Sequence, residues 1–368
     1  MMRMVYYVLV AAQLLLCSSI VNADAVMDLW TKGQTALDAQ LAKSKTCSKD
    51  RLQVRKEWGD LTNGEKSNYI NAVLCLTQKP SKLNPGRYPG ARTRYDDFVA
   101  VHMNQTLNIH GTGNFLSWHR YFTWMYEQTL RNECGYNGTQ PYWNWGRWAA
   151  DPETSPIFDG SMLSMSGNGQ KTTHQGMMVT GNGGGCVTSG PFKNMTVNLG
   201  PMSPAISPAP PTNPQRDGFG YNPRCLRRDI SNQLSSRYSR TQDIVNLITS
   251  STGIAAFQNS LQSSAPVGVH VAGHFTISGD PGGDFYTSPG DPAFWLHHGM
   301  IDRTWTIWQM QDLANRQQVI AGGTSMMGFG SKAQSLDDNI DLDVVAQKVY
   351  KIRDLVSIVD GPFCYYYA

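Results

Sequence analysis

The sequence has no Cys-x-x-Cys pair and no long run of charged side chains of one sign. The first absence argues against a zinc ribbon or a thiol-disulfide redox motif, because both depend on closely spaced cysteines. The second argues against nucleic acid as a partner, because 31 basic and 28 acidic residues are spread along the chain and leave a net charge of +3. The group Arg224, Arg227 and Arg228 is therefore interpreted as a solvated face.

The longest apolar stretch lies at the start of the chain, where Arg3 supplies a positive charge and residues 4–16 are almost wholly apolar. This stretch is shorter than the roughly 20 residues that a membrane-spanning helix needs. Val21-Asn22-Ala23 offers small residues to a peptidase. We therefore predict a secretory signal peptide over residues 1–23, a mature chain over residues 24–368, an extracellular location and no membrane association.

The cysteines agree with export. Six remain after the signal peptide is removed, and an even number is typical of three disulfides in a secreted protein: Cys47, Cys75, Cys134, Cys186, Cys225 and Cys364. The sequence leaves their pairing open. Asn104, Asn137 and Asn194 each begin an Asn-x-Thr acceptor sequence, which predicts a glycoprotein with Asn194 as the best candidate site.

Helical patterning occupies two stretches that a long irregular segment separates. Thr62-x-x-Glu65 resembles a capping box ahead of an apolar stripe, and further helices are expected over residues 95–103, 115–131 and 302–312. Residues 160–223 are rich in Gly, Pro, Ser, Asn and Met and show no periodicity, so they are predicted to form a long loop within one catalytic domain. The predicted fold is mainly α, with long irregular loops and few short strands.

Six of the eight histidines form two triplets, of which the first is His102, His110 and His119 and the second is His270, His274 and His297. His270 and His274 are four residues apart, which places both on one face of a helix. Neutral imidazole suits copper, zinc, iron and nickel, and the affinity order favours copper without excluding zinc. The spacing alone predicts a metal site of uncertain identity. His174 and His298 are expected to be structural, and His298 is expected to point away from the helix face that carries His297.

Three motifs surround these histidines, namely Phe115-Leu116-Ser117-Trp118-His119-Arg120-Tyr121-Phe122, Pro141-Tyr142-Trp143-Asn144-Trp145 and Asp291-Pro292-Ala293-Phe294-Trp295-Leu296-His297-His298. Together they resemble the tyrosinase and catechol oxidase family of type-3 copper proteins, and short secreted fungal members in particular. The likeness runs from about Arg55 to Asp312.

The resemblance implies a four-helix-bundle core that holds a dicopper site. One copper ion would be bound by each triplet, so that all six histidines are both metal ligands and catalytic residues, and an o-diphenol would be oxidised to an o-quinone by dioxygen. The small phenolic substrate is expected to lie near Val271, Phe275, Phe294 and His298. Asp302 is expected either to orient a ligand or to pair with Arg303, and Glu127 to be buried against an arginine.

The chain departs from the family at positions that bear on its activity. Many efficient tyrosinases have Asn where Val271 follows His270, and they place a Glu about a dozen residues earlier, whereas here no acid occurs between Asp243 and Asp280. Gln258 or Gln262 occupies that region, and an amide is not a useful base. We therefore favour o-diphenol oxidation over monophenol hydroxylation.

Two further features concern the covalent frame of the domain. Asn108 replaces the cysteine that forms a thioether in many relatives. Tyr365-Tyr366-Tyr367 resembles the motif that closes the catalytic domain, so we expect no shielding domain, unless residues 160–223 cover the entrance.

Three alternatives stay open at this point. The enzyme could hydroxylate monophenols as a tyrosinase does, or it could oxidise o-aminophenols, which are bidentate aromatic reductants like catechols. A haemocyanin-like dioxygen carrier is the third alternative, and the short chain weighs against it.

Overall fold

The computed structural model of the protein describes residues 25–328 and 330–368, and the predicted signal peptide lies outside these residues. The helices are α1 (25–41), α2 (Asn63–Leu76), α3 (Arg94–Gln105), α4 (Phe115–Cys134), α5 (Trp145–Trp148), α6 (Asn232–Tyr238), α7 (Thr241–Ser250), α8 (Ile254–Leu261), α9 (Val269–Ile277), α10 (Ala293–Met310) and α11 (Leu313–Arg316). Short 3₁₀ turns cover Trp58–Asp60, Thr106–Asn108, Ser288–Gly290, Asp343–Val345 and Ile352–Leu355. None of the described residues belongs to a helix long and apolar enough to cross a bilayer.

Local sequence signals set the ends of the helices. The predicted capping box is present at α2, where Thr62 Oγ1 accepts from the Glu65 N–H at 3.2 Å and the Glu65 carboxylate accepts from the Thr62 N–H at 2.7 Å. Helix α4 ends at Gly135, whose φ of +67° is a left-handed conformation that glycine adopts without strain. The helix predicted over residues 302–312 is in fact the second half of α10, since the apolar residues before Asp302 continue the same buried helix.

The core is built around α3, α4, α9 and α10. Helix α4 packs on α10, α10 packs on α9, and α2 lies against the outer side of α4. The contact between α4 and α10 includes a parallel stack of Tyr126 on Trp295, with ring centroids 3.7 Å apart. The predicted mainly α, four-helix core is confirmed, and it places the histidine-bearing helices side by side.

The strands are short and pair two by two. They are β1 (Gln53–Arg55), β2 (Gly169–Lys171), β3 (Gln175–Gly176), β4 (Gly184–Val187), β5 (Thr196–Val197), β6 (Ile206–Ser207), β7 (Arg224–Cys225), β8 (Asn339–Ile340), β9 (Tyr350–Lys351) and β10 (Tyr365–Tyr367). β1 pairs in parallel with β10, and the antiparallel pairs are β2 with β4, β3 with β6, β5 with β7 and β8 with β9. Residues 160–223, all of which the structure describes, therefore form a loop of short strands without a helix.

Buried arginines fasten this loop to the helical core. Arg228 is fully buried, pairs with Asp291 at 2.7 Å, and donates to the carbonyls of Met165 and Ser166. Arg224 pairs with Asp280 at 2.6 Å. The interpretation of this arginine group as a solvated face is therefore wrong, because each guanidinium supplies several donors that satisfy loop carbonyls and a carboxylate at once.

The six cysteines form three disulfides, namely Cys47–Cys364, Cys75–Cys134 and Cys186–Cys225. The first joins the start of the described chain to its end, next to the pairing of β1 with β10. The third links the loop to β7, the strand that follows it.

Asp302 lies at the centre of a buried network of charges. Its carboxylate pairs with Arg55 and Arg120 and accepts from the hydroxyls of Tyr365 and Tyr367. The expected pair with Arg303 is wrong, since the Arg303 guanidinium lies over the ring of Tyr142 instead. Consecutive residues on a helix point about 100° apart, so Asp302 and Arg303 face different neighbours.

Glu127 is paired as expected, with Arg55 at 2.8 Å and with Arg131 at 3.1 Å. Arg55 pairs with the carboxylates of both Glu127 and Asp302, and Asp302 accepts from the hydroxyls of Tyr365 and Tyr367. The tyrosines near the end of the chain are therefore part of the buried core.

Candidate metal centre

Four helices bring the two histidine triplets together. His102 lies in the last turn of α3, His119 in the second turn of α4, and His110 in the segment between them. His270 and His274 lie on one face of α9, and His297 is on α10. In each triplet one nitrogen of every ring lies within 4.8 Å of a nitrogen of the others, so each set could hold one metal ion.

His298 also belongs to the second group. Its Nε2 lies 3.3 Å from Nε2 of His274, and its ring stacks on His119 with centroids 4.6 Å apart. The expectation that His298 points away from the site is therefore wrong. His297 and His298 are adjacent on α10, and both face histidines, because the His297 ring stacks on His270 and the His298 ring on His119.

The environment of the histidines favours metal binding. Burial lowers the pKa of His110 to about 4 and that of His274 to about 3, and it holds the pKa of the other five clustered histidines well below the usual value. These rings are neutral at ordinary pH and keep a lone pair for a metal.

Nε2 of His102, His119 and His297 is buried and, among the described residues, has no hydrogen-bond partner. An all-imidazole set of donors with unpaired inward nitrogens fits copper.

Main-chain carbonyls fix the rings of the first triplet. Nδ1 of His102 lies 2.8 Å from the carbonyl of Tyr286. Nδ1 of His110 lies 2.9 Å from the carbonyl of Thr106, and Nδ1 of His119 lies 2.7 Å from that of Phe115. A carbonyl requires the proton on Nδ1, which leaves Nε2 of each ring free to bind a metal.

In the second triplet His274 has a main-chain partner at Gly282, whereas packing against neighbouring residues fixes the His297 ring. Nε1 of the Trp145 indole lies 3.0 Å from Nδ1 of His297, and the His297 ring lies against Gly273 of α9. A Cβ atom on Gly273 would stand 2.1 Å from Cε1 of His297, which is far inside contact distance. Nδ1 of His270 has no hydrogen-bond partner among the described residues.

A cavity of about 160 Å³ opens onto both triplets. Its lining residues are His110, Gly111, Gln262, His270, Val271, His274, Phe275, Gly282, Gly283, Asp284, Phe285, Ser288 and Met326. Val271 and Phe275 are among them, and a substrate beside these two residues stays a prediction. No residue of the loop 160–223 lines it, although the N–H groups of Met202 and Ser203 donate to Asp284 in its wall.

Phe294 and His298 are not among the residues that line the cavity, so their place near the substrate stays a prediction. Phe294 stacks on His298 with ring centroids 4.1 Å apart. Its centroid lies 5.7 Å from that of His102 and 5.8 Å from that of His274. Sequence reasoning missed Phe285 and Met326, because both lie on irregular segments without periodicity. The one sequence signal for Phe285 was its position between His274 and His297 in the chain.

The acidic residue in the cavity wall is not free to act as a base. Asp284 is buried, and its oxygens accept from the N–H groups of four residues, namely Met202, Ser203, Tyr286 and Thr287. Of the two glutamines that replace the family's acid, Gln262 lines the cavity, whereas Gln258 is buried and donates to the carbonyl of Ala321.

Comparison with known proteins agrees with this geometry. The common central domain of tyrosinase matches residues 92–311. Tyrosinase P of Aspergillus terreus is 39% identical over 337 residues, which cover 86% of this chain and 92% of that protein. The N-acetyl-6-hydroxytryptophan oxidase of Emericella nidulans is 37% identical, over 90% of this chain and 96% of that protein. A polyphenol oxidase variant from Thermothelomyces thermophila superimposes with a TM-score of 0.88 at 38% identity, over 94% of this chain and 98% of that one.

The fold and the twin histidine groups define a copper-dependent oxidase with a dinuclear metal centre. The chain belongs to the tyrosinase family.

Proposed function

We propose that the protein oxidises o-diphenols to o-quinones and reduces dioxygen to water. The observation that carries this proposal is the wall of the cavity, which exposes His110, His270 and His274 and in which the described residues offer no free carboxylate. A monophenol must lose its proton before it can bind a metal, and Asp284, the one acid that the described residues place in this wall, is saturated by four N–H donors. A catechol is more acidic than a monophenol and chelates through two oxygens, so it depends less on a base supplied by the protein.

His102, His110 and His119 would hold one copper ion, and His270, His274 and His297 the other. Bound there, the copper pair supplies two-electron exchange between the diphenol and dioxygen. Two diphenols lose two electrons and two protons each, which balances the reduction of one dioxygen to two waters.

The protein's own residues orient the substrate and limit water. Val271, Phe275 and Phe285 form apolar walls around the exposed imidazoles, and the small volume favours a flat ring. Gln262 is held in place because its Oε1 accepts from the Gly111 N–H at 3.0 Å. Its amide can orient a hydroxyl but cannot take up its proton.

The exposure of the cavity supports an enzyme rather than a dioxygen carrier. Met326 in its wall is 51% exposed, so the cavity opens to solvent and a phenol can enter. Reversible dioxygen binding without any turnover of catechol would establish the carrier instead.

The decisive experiment loads the purified protein with copper, measures its metal content, and follows dioxygen uptake on catechol, p-cresol and o-aminophenol. We expect two coppers per chain, rapid uptake with catechol, and slow or absent uptake with p-cresol. Fewer than two coppers would contradict the dinuclear centre. Rapid hydroxylation of p-cresol without a lag would contradict the argument from Asp284 and Val271.

The ligand assignment has its own test. His274→Ala and His119→Ala should each bind one copper and lose turnover, whereas His174→Ala, in the loop 160–223 and outside both histidine groups, should keep both coppers. Retained activity in either ligand variant would overturn the assignment.

A second candidate is oxidation of an o-aminophenol or a hydroxylated indole. The name of the Emericella nidulans relative gives N-acetyl-6-hydroxytryptophan as that protein's substrate. The uptake assay with o-aminophenol separates this candidate from the first.

We also propose that residues 24–368 form one secreted catalytic domain. The three disulfides suit an oxidising compartment, and the acceptor residues Asn104, Asn137 and Asn194 are all exposed. N-terminal sequencing of protein from the culture medium should begin at Asp24. Retention of the protein inside the cell would contradict export.

A further inference from the structure

We propose that Met326 selects the substrate, and that the selected class is neutral o-diphenols with an apolar or aromatic substituent para to one hydroxyl. This inference rests on the proposed diphenol oxidation and names the substrate class of that same cavity. It concerns the mouth of the cavity, which neither histidine triplet defines.

The position of Met326 follows from the main chain around it. The Met326 N–H donates to the carbonyl of Leu107 at 2.8 Å, which fixes the residue against the segment that carries His110. A Cβ atom on Gly111 would lie 3.4 Å from Cγ of Met326, so the side chain runs along the glycine at the rim. Met326 therefore lies between bulk solvent and the exposed imidazoles.

The segment that carries Met326 is braced at its base. The Thr324 N–H donates to the carbonyl of Lys332 at 2.9 Å, and the Lys332 N–H donates back to Thr324 Oγ1 at 3.2 Å. The Gly113 N–H donates to the carbonyl of Gly323 at 3.1 Å. These bonds hold the residue in place without occupying its thioether.

The geometry of a diphenol decides which part of it meets Met326. Its two adjacent oxygens must reach the end of the cavity where His110, His270 and His274 are exposed. A substituent para to one oxygen then points away from the histidines and toward the mouth. Because the cavity measures only about 160 Å³, a substituent of several carbons extends to the rim.

The charges of the wall decide which substituents are favoured. No lysine or arginine lines the cavity in the part of the chain that the structure describes, and Asp284 is saturated. A carboxylate or ammonium group on the substrate would lose water there without gaining a partner. A methionine side chain is flexible and polarisable, and it makes favourable contacts with apolar groups and aromatic rings.

The first test compares catalytic efficiency, kcat/KM, on catechol, 4-tert-butylcatechol and 3,4-dihydroxybenzoate. Met326→Ala should lower the efficiency on 4-tert-butylcatechol by about tenfold, mainly through KM, since apolar contact of this size is worth about that factor. Catechol should change less than about twofold, because it has no substituent at the rim. Met326→Leu should restore the loss. Met327→Ala is the matched control, because Met327 is 68% exposed and does not line the cavity.

The second test reverses the selectivity. Met326→Arg should favour 3,4-dihydroxybenzoate over 4-tert-butylcatechol and shift the ratio of their catalytic efficiencies by about tenfold or more, since a guanidinium at the rim pairs with the carboxylate. Met327→Arg adds the same charge one residue away and should leave the ratio within about twofold.

The outcomes separate this inference from the proposed function. If the native protein oxidises none of the three diphenols, diphenol oxidation itself fails. If it oxidises them and the two Met326 variants keep the native ratios, or if the Met327 controls change them equally, Met326 is not the selecting residue.

Discussion

The two histidine triplets hold the same kind of ligand in different ways. In the first triplet every Nδ1 faces a main-chain carbonyl, at 2.7 to 2.9 Å. In the second triplet His274 also has a main-chain partner, at Gly282, but the His297 ring depends on contact with the Trp145 indole and on the missing side chain of Gly273. Main-chain carbonyls are set by the fold, whereas an indole and a glycine are set by single residues.

This difference teaches that the second site is the vulnerable one. A point substitution outside the histidines does not remove a main-chain carbonyl, but it can remove an indole ring or add a methyl group. The cavity also exposes two histidines of the second triplet and only one of the first. The second triplet, which exposes more histidines to the cavity, is thus also the triplet in which side-chain packing holds the His297 ring.

Gly273→Ala should have the largest effect. The new methyl group would stand where the His297 ring lies, so the ring must move away from its partners. We expect copper content to fall from two toward one per chain and turnover to fall by more than about a hundredfold, since misplaced reacting groups cost that much. Metal analysis and dioxygen uptake measure both.

Gly253→Ala is the matched control for that variant. A Cβ atom on Gly253 meets nothing within 4 Å, and its φ of −144° is extended backbone that any residue adopts. This control should bind two coppers. Two coppers in Gly273→Ala as well would show that the second site tolerates displacement and is no more vulnerable than the first.

The metal-free protein should lose stability as pH falls below about 6.5, the usual histidine pKa. Burial lowers the pKa of His110 to about 4 and that of His274 to about 3, so the unfolded chain takes up protons before the folded chain does. Their stabilising contribution is therefore complete above the unfolded pKa and is lost as pH falls toward the folded values. At pH 5 each of these two rings should lower the free energy of unfolding by about 2 kcal/mol, relative to its value above the unfolded pKa.

Denaturant unfolding of the metal-free protein between pH 5 and pH 8 measures this loss. His110→Gln and His274→Gln should each reduce by about one the number of protons that the chain takes up on unfolding, so the free energy of unfolding should depend less steeply on pH. Each variant tests one of the two triplets. An unchanged slope in both variants would mean that these rings are not buried in the metal-free protein.

The sequence predicted the helices and the histidine triplets well, because capping residues, i, i+4 spacing and the flanking motifs are local signals. It failed where the answer depends on contacts between distant segments. Asp302 was expected beside Arg303, yet it pairs with Arg55 and Arg120. Phe285 and Met326 reach the cavity from irregular segments, and no periodicity in the sequence could indicate which way they face.

Trp145→Phe should weaken copper binding at the second site by about ten- to a hundredfold, because a residue that orients a ligand contributes about that much. The matched control is Trp118→Phe at the first site. Its indole lies beside the rings of His102 and His119 but donates to Gln105 Oε1 at 2.8 Å, not to a histidine. Copper titration should therefore show two unequal affinities in Trp145→Phe and a native pattern in Trp118→Phe. Equal weakening in both would mean that the loss of any indole near the centre, and not the contact of Trp145 with His297, lowers the copper affinity.

The smallest expected effect concerns His174, the one histidine outside the two groups. Burial opposes its charged form, but hydrogen bonds to the Thr172 carbonyl and to Asp229, at 2.9 Å, outweigh it and raise the pKa of His174 above its ordinary value. Its stabilising contribution is therefore complete below the unfolded pKa and is lost as pH rises through the folded pKa, opposite in sign to the clustered histidines. Limited proteolysis of residues 160–223 should become slightly faster from pH 6 to pH 8 in the native protein. His174→Gln should remove that pH dependence and leave copper content unchanged, and a copper loss in this variant would mean that the loop supports the metal centre after all.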